Sequence, residues 1–380
     1  MELTMHFRKI ILLSLILGGG LCGFAGSKEK SQNLNNNSIR NCHAEFCYKI
    51  LTDSNDSEID DIVQSNCADN SIQYRNFYVT LAKEIKDSIP AGIIIPLHRN
   101  FSSWSPSNSF MGDPWNCQNV KIFGIPHYNS FNLRENGIYL LMGADNAACF
   151  SDDELHALLS QKIILDGAAA KEISDRGFSY LLGVNVEEEI FQFYGEQNIE
   201  NEKIYPIDPA TKKKFISLRD PMTKVLSQFY SQNSTGDKEY IAPGTTLLAQ
   251  NIYGGTVCVS ATDINNDSAL RLGMRNNYLY DVLNQLNGKQ LPYSINNPQN
   301  LIVLTRTLKN SDILMGLFNL GTTDSSPLEI YCATTPYQIE ILQENGCWEF
   351  LPFRIQNRSV FLNIECLGCA VLRIKTKLSK

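Results

Sequence analysis

The chain has 380 residues, 43% of them hydrophobic, and a net charge of −7, enough apolar material for two domains, which excludes a single small module. Acids and bases are mixed along it, with neither a basic stripe for phosphate backbones nor a polybasic arm for anionic lipid, so nucleic acid is not an expected partner. Ten of its eleven cysteines lie beyond Cys22, a number that suits an oxidising compartment in which some can pair.

The first element, residues 1–26, reads as a signal peptide: Arg8 and Lys9 precede an apolar run over residues 10–17, and Gly23-Phe24-Ala25 offers small residues for cleavage. The run is far shorter than the ~20 residues that cross a bilayer as a helix, so the mature chain is expected to carry no transmembrane helix. The expected location is secreted or cell envelope. Cys22 raises the alternative of a lipid anchor, but Leu21 stands where lipoprotein signals place a small residue, and lipidation is not favoured.

Residues 27–40 hold almost no apolar side chains and read as a flexible tether. Residues 41–90 form a cysteine-containing helical segment in which Cys42, Cys47 and Cys67, together with Cys117, are candidates to staple the chain. Within it Phe77, Leu81 and Ile85 recur four apart, the spacing of one helix face.

The next domain spans residues 91–298. The wholly apolar run over 91–96 predicts a strand buried on both faces. A polar loop over 99–116 carries Trp104 and Trp115, and residues 121–126 read as a short strand or as a helix end with its turn. Residues 137–143 predict another buried strand, and Ser151 with Glu154 forms a capping box that opens a helix through Leu155, Leu158 and Leu159. Residues 162–165 are a strand, Asp166 caps the helix that begins at Ala168, and Gly177 is placed to stop it. Strand, helix, strand and helix in this order predict an α/β fold with a mainly parallel sheet flanked by helices. Residues 185–250 read as insertions and loops, after which 256–260 restores a buried strand and 277–286 a helix ending near Gly288. From residue 299 to 380 short β runs at 301–304, 313–320, 328–331, 360–364 and 371–374 predict a small antiparallel β-sandwich domain.

Few residues carry recognisable chemistry. Glycoside hydrolysis needs two facing carboxyl groups, but Asp145, Asp152, Asp153, Glu154, Asp166 and Glu187 to Glu189 form no motif that fixes a pair. Capping and the helix dipole explain Asp152 to Glu154 and Asp166, and Glu187 to Glu189 suit a solvated face. Cys149, after the strand at 137–143, lies on the ligand side of an α/β sheet but lacks the glycine-flanked elbow of a nucleophile, so a buried or disulfide-bonded role is favoured. Cys258 belongs to the core. Cys366 and Cys369 have a zinc-like spacing without a second ligand pair at a matching distance, which favours a disulfide or two buried thiols over metal. No phosphate loop, dinucleotide fingerprint or metal-binding helix is present, so no cofactor is expected. Trp104 and Trp115 are candidate carbohydrate contacts by ring stacking, against the commoner role of packing their loop onto the domain, and Asp145 joins them as a candidate contact.

Several segments together resemble the non-catalytic C-terminal half of bacterial β-galactosidase-like TIM-barrel glycosidases, in which a glutamine-amidotransferase-like α/β domain and a small β domain follow the barrel. They are residues 158–170, Asp175-Arg176-Gly177-Phe178, Leu182-Gly183-Val184, Asn251-Ile252-Tyr253-Gly254-Gly255-Thr256-Val257, Arg275 with Leu291-Pro292, and Gly316-Leu317-Phe318-Asn319-Leu320. A catalytic barrel takes about 250 residues, and fewer than 70 separate the leader from Ile93. The resemblance therefore implies a scaffold without the chemistry, associated with carbohydrate or assembly. It also implies self-association, because this domain is linked to oligomer contacts in those enzymes. The alternatives are a glycoside hydrolase-like enzyme with an unrecognised carboxylate pair and a structural protein of the cell envelope.

Overall fold

The computed structural model describes residues 43–52 in part, 74–98 apart from residue 87, 124–189, 195–206, 213–218, 222–232, 235–261, 276–288, 291–296, 301–319, 327–364 and 368–376. All of them belong to one compact unit, Cys42–Lys380.

A nine-stranded sheet forms the centre of the α/β part. Its parallel half contains β2 (Ile93–Pro96), β3 (His127–Ser130), β4 (Ile138–Leu141), β5 (Lys162–Asp166) and β12 (Thr256–Ser260) in the order β3-β2-β4-β5-β12. Ile163, Ile164, Leu165, Val257 and Val259 are wholly buried, which requires cover on both sheet faces and explains the unbroken apolar runs. Helices α2 (Ala144–Ala148), α3 (Asp152–Leu159), α4 (Gly167–Ile173), α5 (Ser179–Leu182) and α6 (Asn276–Asn287) contribute Ala147, Leu158, Ile173, Leu182 and Leu283 to the same core.

The mainly parallel sheet expected from the sequence is corrected to a mixed one. Beyond β12 the order continues through β11 (Lys238–Gln250), β10 (Lys224–Gln232), β7 (Gly195–Asn198) and β8 (Ile204–Pro206), all antiparallel. With β6 (Val184–Glu189) and β9 (Lys213–Leu218), a separate antiparallel pair, these strands occupy the region read as insertions and loops. Pro243 and Gly244 masked β11. The register passes from Phe229↔Ile241 to Ser227↔Thr246, so residues 242–245 sit in an irregularity where a proline forfeits no regular ladder bond.

Of residues 121–126, 121–123 lie outside the described residues and 124–126 are in no strand, and the next strand is His127–Ser130. Gly177, with φ of 90°, leaves the helical backbone as expected of a helix stop, and a second short helix, α5, follows until Gly183, at φ of 68°.

The C-terminal strands make two antiparallel sheets. One has six strands, ordered β1 (Ile89–Ala91), β14 (Leu301–Thr307), β15 (Ile313–Asn319), β21 (Cys369–Thr376), β17 (Pro336–Leu342) and β18 (Trp348–Phe350). The other has four, ordered β13 (Tyr293–Asn296), β16 (Leu328–Cys332), β20 (Ser359–Leu362) and β19 (Phe353–Gln356). Val303, Met315, Leu317 and Leu372 of the first pack with Ile330, Val360 and Leu362 of the second as a sandwich core. The alternate residues Ile302, Leu304, Leu314, Phe318 and Val371 face a helical layer made of the segment within residues 43–52 and α1 (Arg75–Ile85), through Ile50, Leu51, Phe77, Leu81 and Ile85. The six-stranded sheet is thus covered on both faces. Its edge strand β1 comes from just before β2, so Gly92 is the point at which the chain leaves one sheet and enters the other.

Charge joins the helical layer to the sheet. Arg373 donates to Glu340 (Nε to Oε2, 2.6 Å) and to Glu84 of α1 (2.8 Å), and lies 4.4 Å from the Trp348 ring, while Lys375 donates to Glu340 at 2.9 Å. Burial pushes the Glu340 carboxyl up, but hydrogen bonds and charge from Lys375 and Arg373 outweigh it and hold the group below the usual carboxylate range. A depressed folded value gives stability that is complete above the ordinary range and lost as pH falls through the folded value. Urea midpoints are therefore expected to drop on acidification from about pH 6 to about pH 3, with a smaller drop in Glu340→Gln; equal acid limbs in the two proteins would refute the coupling.

Candidate functional site

The carboxyl ends of parallel strands are where open α/β sheets bind ligands, and here they converge on a buried carboxylate. Gly143, two residues past the end of β4, takes φ of 84° before α2 begins, and β5 ends at Asp166. Asp166 Oδ1 accepts from Gly143 N–H at 2.9 Å and from Ala169 N–H at 2.8 Å, so the residue that caps α4 also fixes the end of the neighbouring strand. The capping expectation holds, and the wholly buried Asp166 has a structural task.

Two more carboxylates of this end are engaged as well. Glu154 completes the capping box, accepting from Ser151 N–H at 2.8 Å and from its hydroxyl at 2.9 Å, and its Oε2 lies 3.3 Å from His98 Nε2 just past β2. Burial raises the Glu154 carboxyl, and the Ser151 hydrogen bonds with the His98 contact more than reverse that. Asp152 pairs with Arg176, whose Nη1 donates to Phe150 O at 2.8 Å and to Ala147 O at 3.4 Å, closing the turn after α2. Asp153 and Asp145 are exposed, as is Glu187 on β6. Asp145 stands in the first turn of α2, immediately beyond the carboxyl end of β4.

Cys149 donates through its thiol to Asp145 O at 3.2 Å, and burial followed by the Asp145 charge pushes that thiol up. A nucleophilic cysteine needs the opposite shift. Cys258 is wholly buried, and burial with the nearby Glu196 likewise raises its thiol. Cys47, Cys149, Cys258, Cys332, Cys347 and Cys369 are free thiols. Trp104, Trp115, Cys22, Cys42, Cys67, Cys117 and Cys366, together with the signal-peptide and tether segments, lie outside the described residues.

Sequence reasoning missed a buried polar network in the antiparallel half. Glu196 on β7 accepts from the hydroxyls of Ser227 and, at 2.9 Å, of Thr246. Tyr278 of α6 shares hydrogen bonds with Thr246 (2.5 Å) and with Ser260 (2.8 Å) at the carboxyl end of β12. Gly195-Glu196-Gln197-Asn198 is as polar as a turn, and nothing in it signals a core strand. Hydroxyls from two strands thus hold Glu196 Oε1, and Tyr278 and Ser260 extend the network to a helix and to β12, so that it specifies the sheet order.

Residues 251–255 form a tight clamp. Asn251 donates from Nδ2 to Leu159 O at 2.8 Å and to Leu181 O at 3.3 Å, and its Oδ1 accepts from Tyr253 and Gly255 N–H at 3.1 and 3.0 Å. One amide thus ties α3, α5 and the entry to β12 together.

Over 80% of its length the chain is similar in structure to an α-L-fucosidase isoenzyme 2 from Paenibacillus thiaminolyticus, at a TM-score of 0.50 and 10% identity, covering 51% of that chain. A catalytic mutant of a GH42 β-galactosidase from G. stearothermophilus matches over 80% of this chain and 43% of its own at 9% identity and a TM-score of 0.44. A rhamnosidase from Novosphingobium sp. matches over 80% and 25% at 11% identity and 0.37. The chain thus spans about half the length of the fucosidase chain. No protein-family model and no curated protein matches the sequence. Among the described residues no helix is long and apolar enough to cross a membrane.

Proposed function

We propose that this chain is an exported, non-catalytic module that binds carbohydrate through the carboxyl end of its parallel strands. The observation that carries the reading is the fold shared with one half of an α-L-fucosidase. The state of the polar groups at that end supports it: Asp166, Glu154 and Asp152 are committed to caps and ion pairs, and burial with the Asp145 charge pushes the Cys149 thiol up. Asp145 stays exposed there, and Trp104 and Trp115 follow β2 in the sequence. An exposed carboxylate accepts hydroxyl hydrogen bonds, and indole faces stack on the apolar face of a sugar ring. Self-association belongs to the same reading.

The test is to screen the exported chain on a glycan array while assaying it against a panel of chromogenic glycosides, with light scattering for its mass in solution. Binding without turnover is expected, weakened about tenfold (~1.4 kcal/mol) in Trp104→Ala, Trp115→Ala or Asp145→Ala. Turnover that survives stringent repurification would replace this reading with an enzyme, and silence in both assays would favour a structural role.

A further inference from the structure

The helical layer on the six-stranded sheet holds a cluster that the carbohydrate reading does not use. His43 and Cys47 are four residues apart on the helical segment within 43–52, and Cys369 opens β21 on the sheet beneath. One donor atom from each, an imidazole nitrogen and two sulfurs, lie within 4.8 Å of one another. Cys47 Sγ is 3.8 Å from His43 Nδ1 and 3.9 Å from Nε2.

These separations approach those of a tetrahedral zinc site. Bond lengths of about 2.3 Å to sulfur and 2.0–2.1 Å to nitrogen put neighbouring N and S ligands about 3.6 Å apart. The Cys47 to His43 edge is within a few tenths of an ångström of that, and the widest edge closes with a shift of about 1 Å. His43 is also oriented as metal-bound histidines are, with its second nitrogen occupied. Its Nδ1 lies 2.9 Å from the Tyr78 hydroxyl, and its ring stacks on Tyr74 at 4.1 Å with the Phe77 edge at 4.9 Å, which leaves Nε2 to face an ion. Cys47 is fully buried within the apolar cluster of this layer.

We propose that His43 Nε2, Cys47 Sγ and Cys369 Sγ form a site for a zinc-type divalent cation that clamps the N-terminal helical segment to β21. Two thiolates and an imidazole are soft and borderline donors that favour such an ion over calcium or magnesium. Binding releases the two thiol protons to solvent, and three protein donors leave one coordination position for water or a further donor. The two ligand groups come from opposite ends of the chain, so the ion joins segments whose loop closure is entropically costly.

The alternative use of the same atoms is a Cys47–Cys369 disulfide, which an external oxidant would make with loss of two electrons and two protons. The full chain, purified without chelators, is expected to carry one zinc per chain by elemental analysis, with both cysteines alkylated after metal removal. Loading with cobalt(II) should give sulfur-to-metal charge-transfer absorption and the visible bands of a tetrahedral ion. Cys369→Ser and His43→Ala should each lower zinc content at least tenfold, whereas Cys347→Ser, at an exposed thiol, should keep it. A Cys47–Cys369 linked peptide with no bound zinc would overturn the site. So would a wild-type chain that shows no sulfur-to-cobalt band, whether or not the variants fold.

Discussion

Alanine at Gly92 is expected to destabilise the protein by about 3 kcal/mol or more, read as a fall in the urea midpoint at unchanged slope. Gly92 takes φ of 129°, and a Cβ there would lie 2.3 Å from Pro126 O and 2.8 Å from His127 N. Both are backbone atoms of the segment that pairs with β2, so no side-chain rotation relieves the overlap. The residue cannot retreat, because β1 on one side is paired to β14 and β2 on the other to β3 and β4. Gly254 separates the two causes. It has φ of 83° with nothing within 4 Å of the added carbon, so Gly254→Ala should cost only the backbone strain of about 1 kcal/mol. If the two substitutions cost the same, the close approach of Pro126 contributes nothing and the account of this hinge fails.

Arg306→Met should cost about 3 kcal/mol or more and should act first on the N-terminal helical segment. Arg306 is only 3% exposed, and its guanidinium donates from Nη1 to Leu51 O at 3.0 Å, from Nε to Ser88 Oγ at 2.6 Å and from Nη2 to Ser88 O at 3.3 Å. It therefore reaches from β14 to the end of the helical segment and to the turn after α1. Methionine keeps much of the volume and removes every donor, which leaves the Leu51 and Ser88 carbonyls without their partner. Hydrogen exchange over residues 43–52 should rise well before exchange in β15, since the helical layer loses its anchor while the sandwich core keeps Met315 and Leu317. Uniform loss of protection across both layers would show that Arg306 acts on global stability alone.

The features legible in the sequence are local ones. Ser151 and Glu154 satisfy each other's backbone within one turn, and Asp166 caps the next helix from the adjoining residue, so their roles follow from short-range spacing alone. The unbroken apolar runs at 93–95, 138–141, 163–165 and 301–304 identify strands buried on both faces without reference to any partner. What the runs leave open is which layer covers each face. For β14 and β15 one cover is the four-stranded sheet and the other is a helical layer more than 200 residues away in sequence, and no local pattern encodes that choice.

The polar half of the nine-stranded sheet was illegible for a related reason. Glu196, Ser227 and Thr246 are core residues only because each answers another's hydrogen bond across three strands, and read singly each signals a loop. The zinc-like Cys366 and Cys369 spacing likewise carries no complement nearby in the chain, because His43 and Cys47 reach Cys369 only once the first helical segment lies on β21. By itself the sequence determined which segments are strands or helices wherever apolar period and capping chemistry are local. The tertiary structure alone decided the mixed sheet order, the covering of the six-stranded sheet by the N-terminal helices and the His43, Cys47 and Cys369 cluster, since each rests on partners distant in the chain.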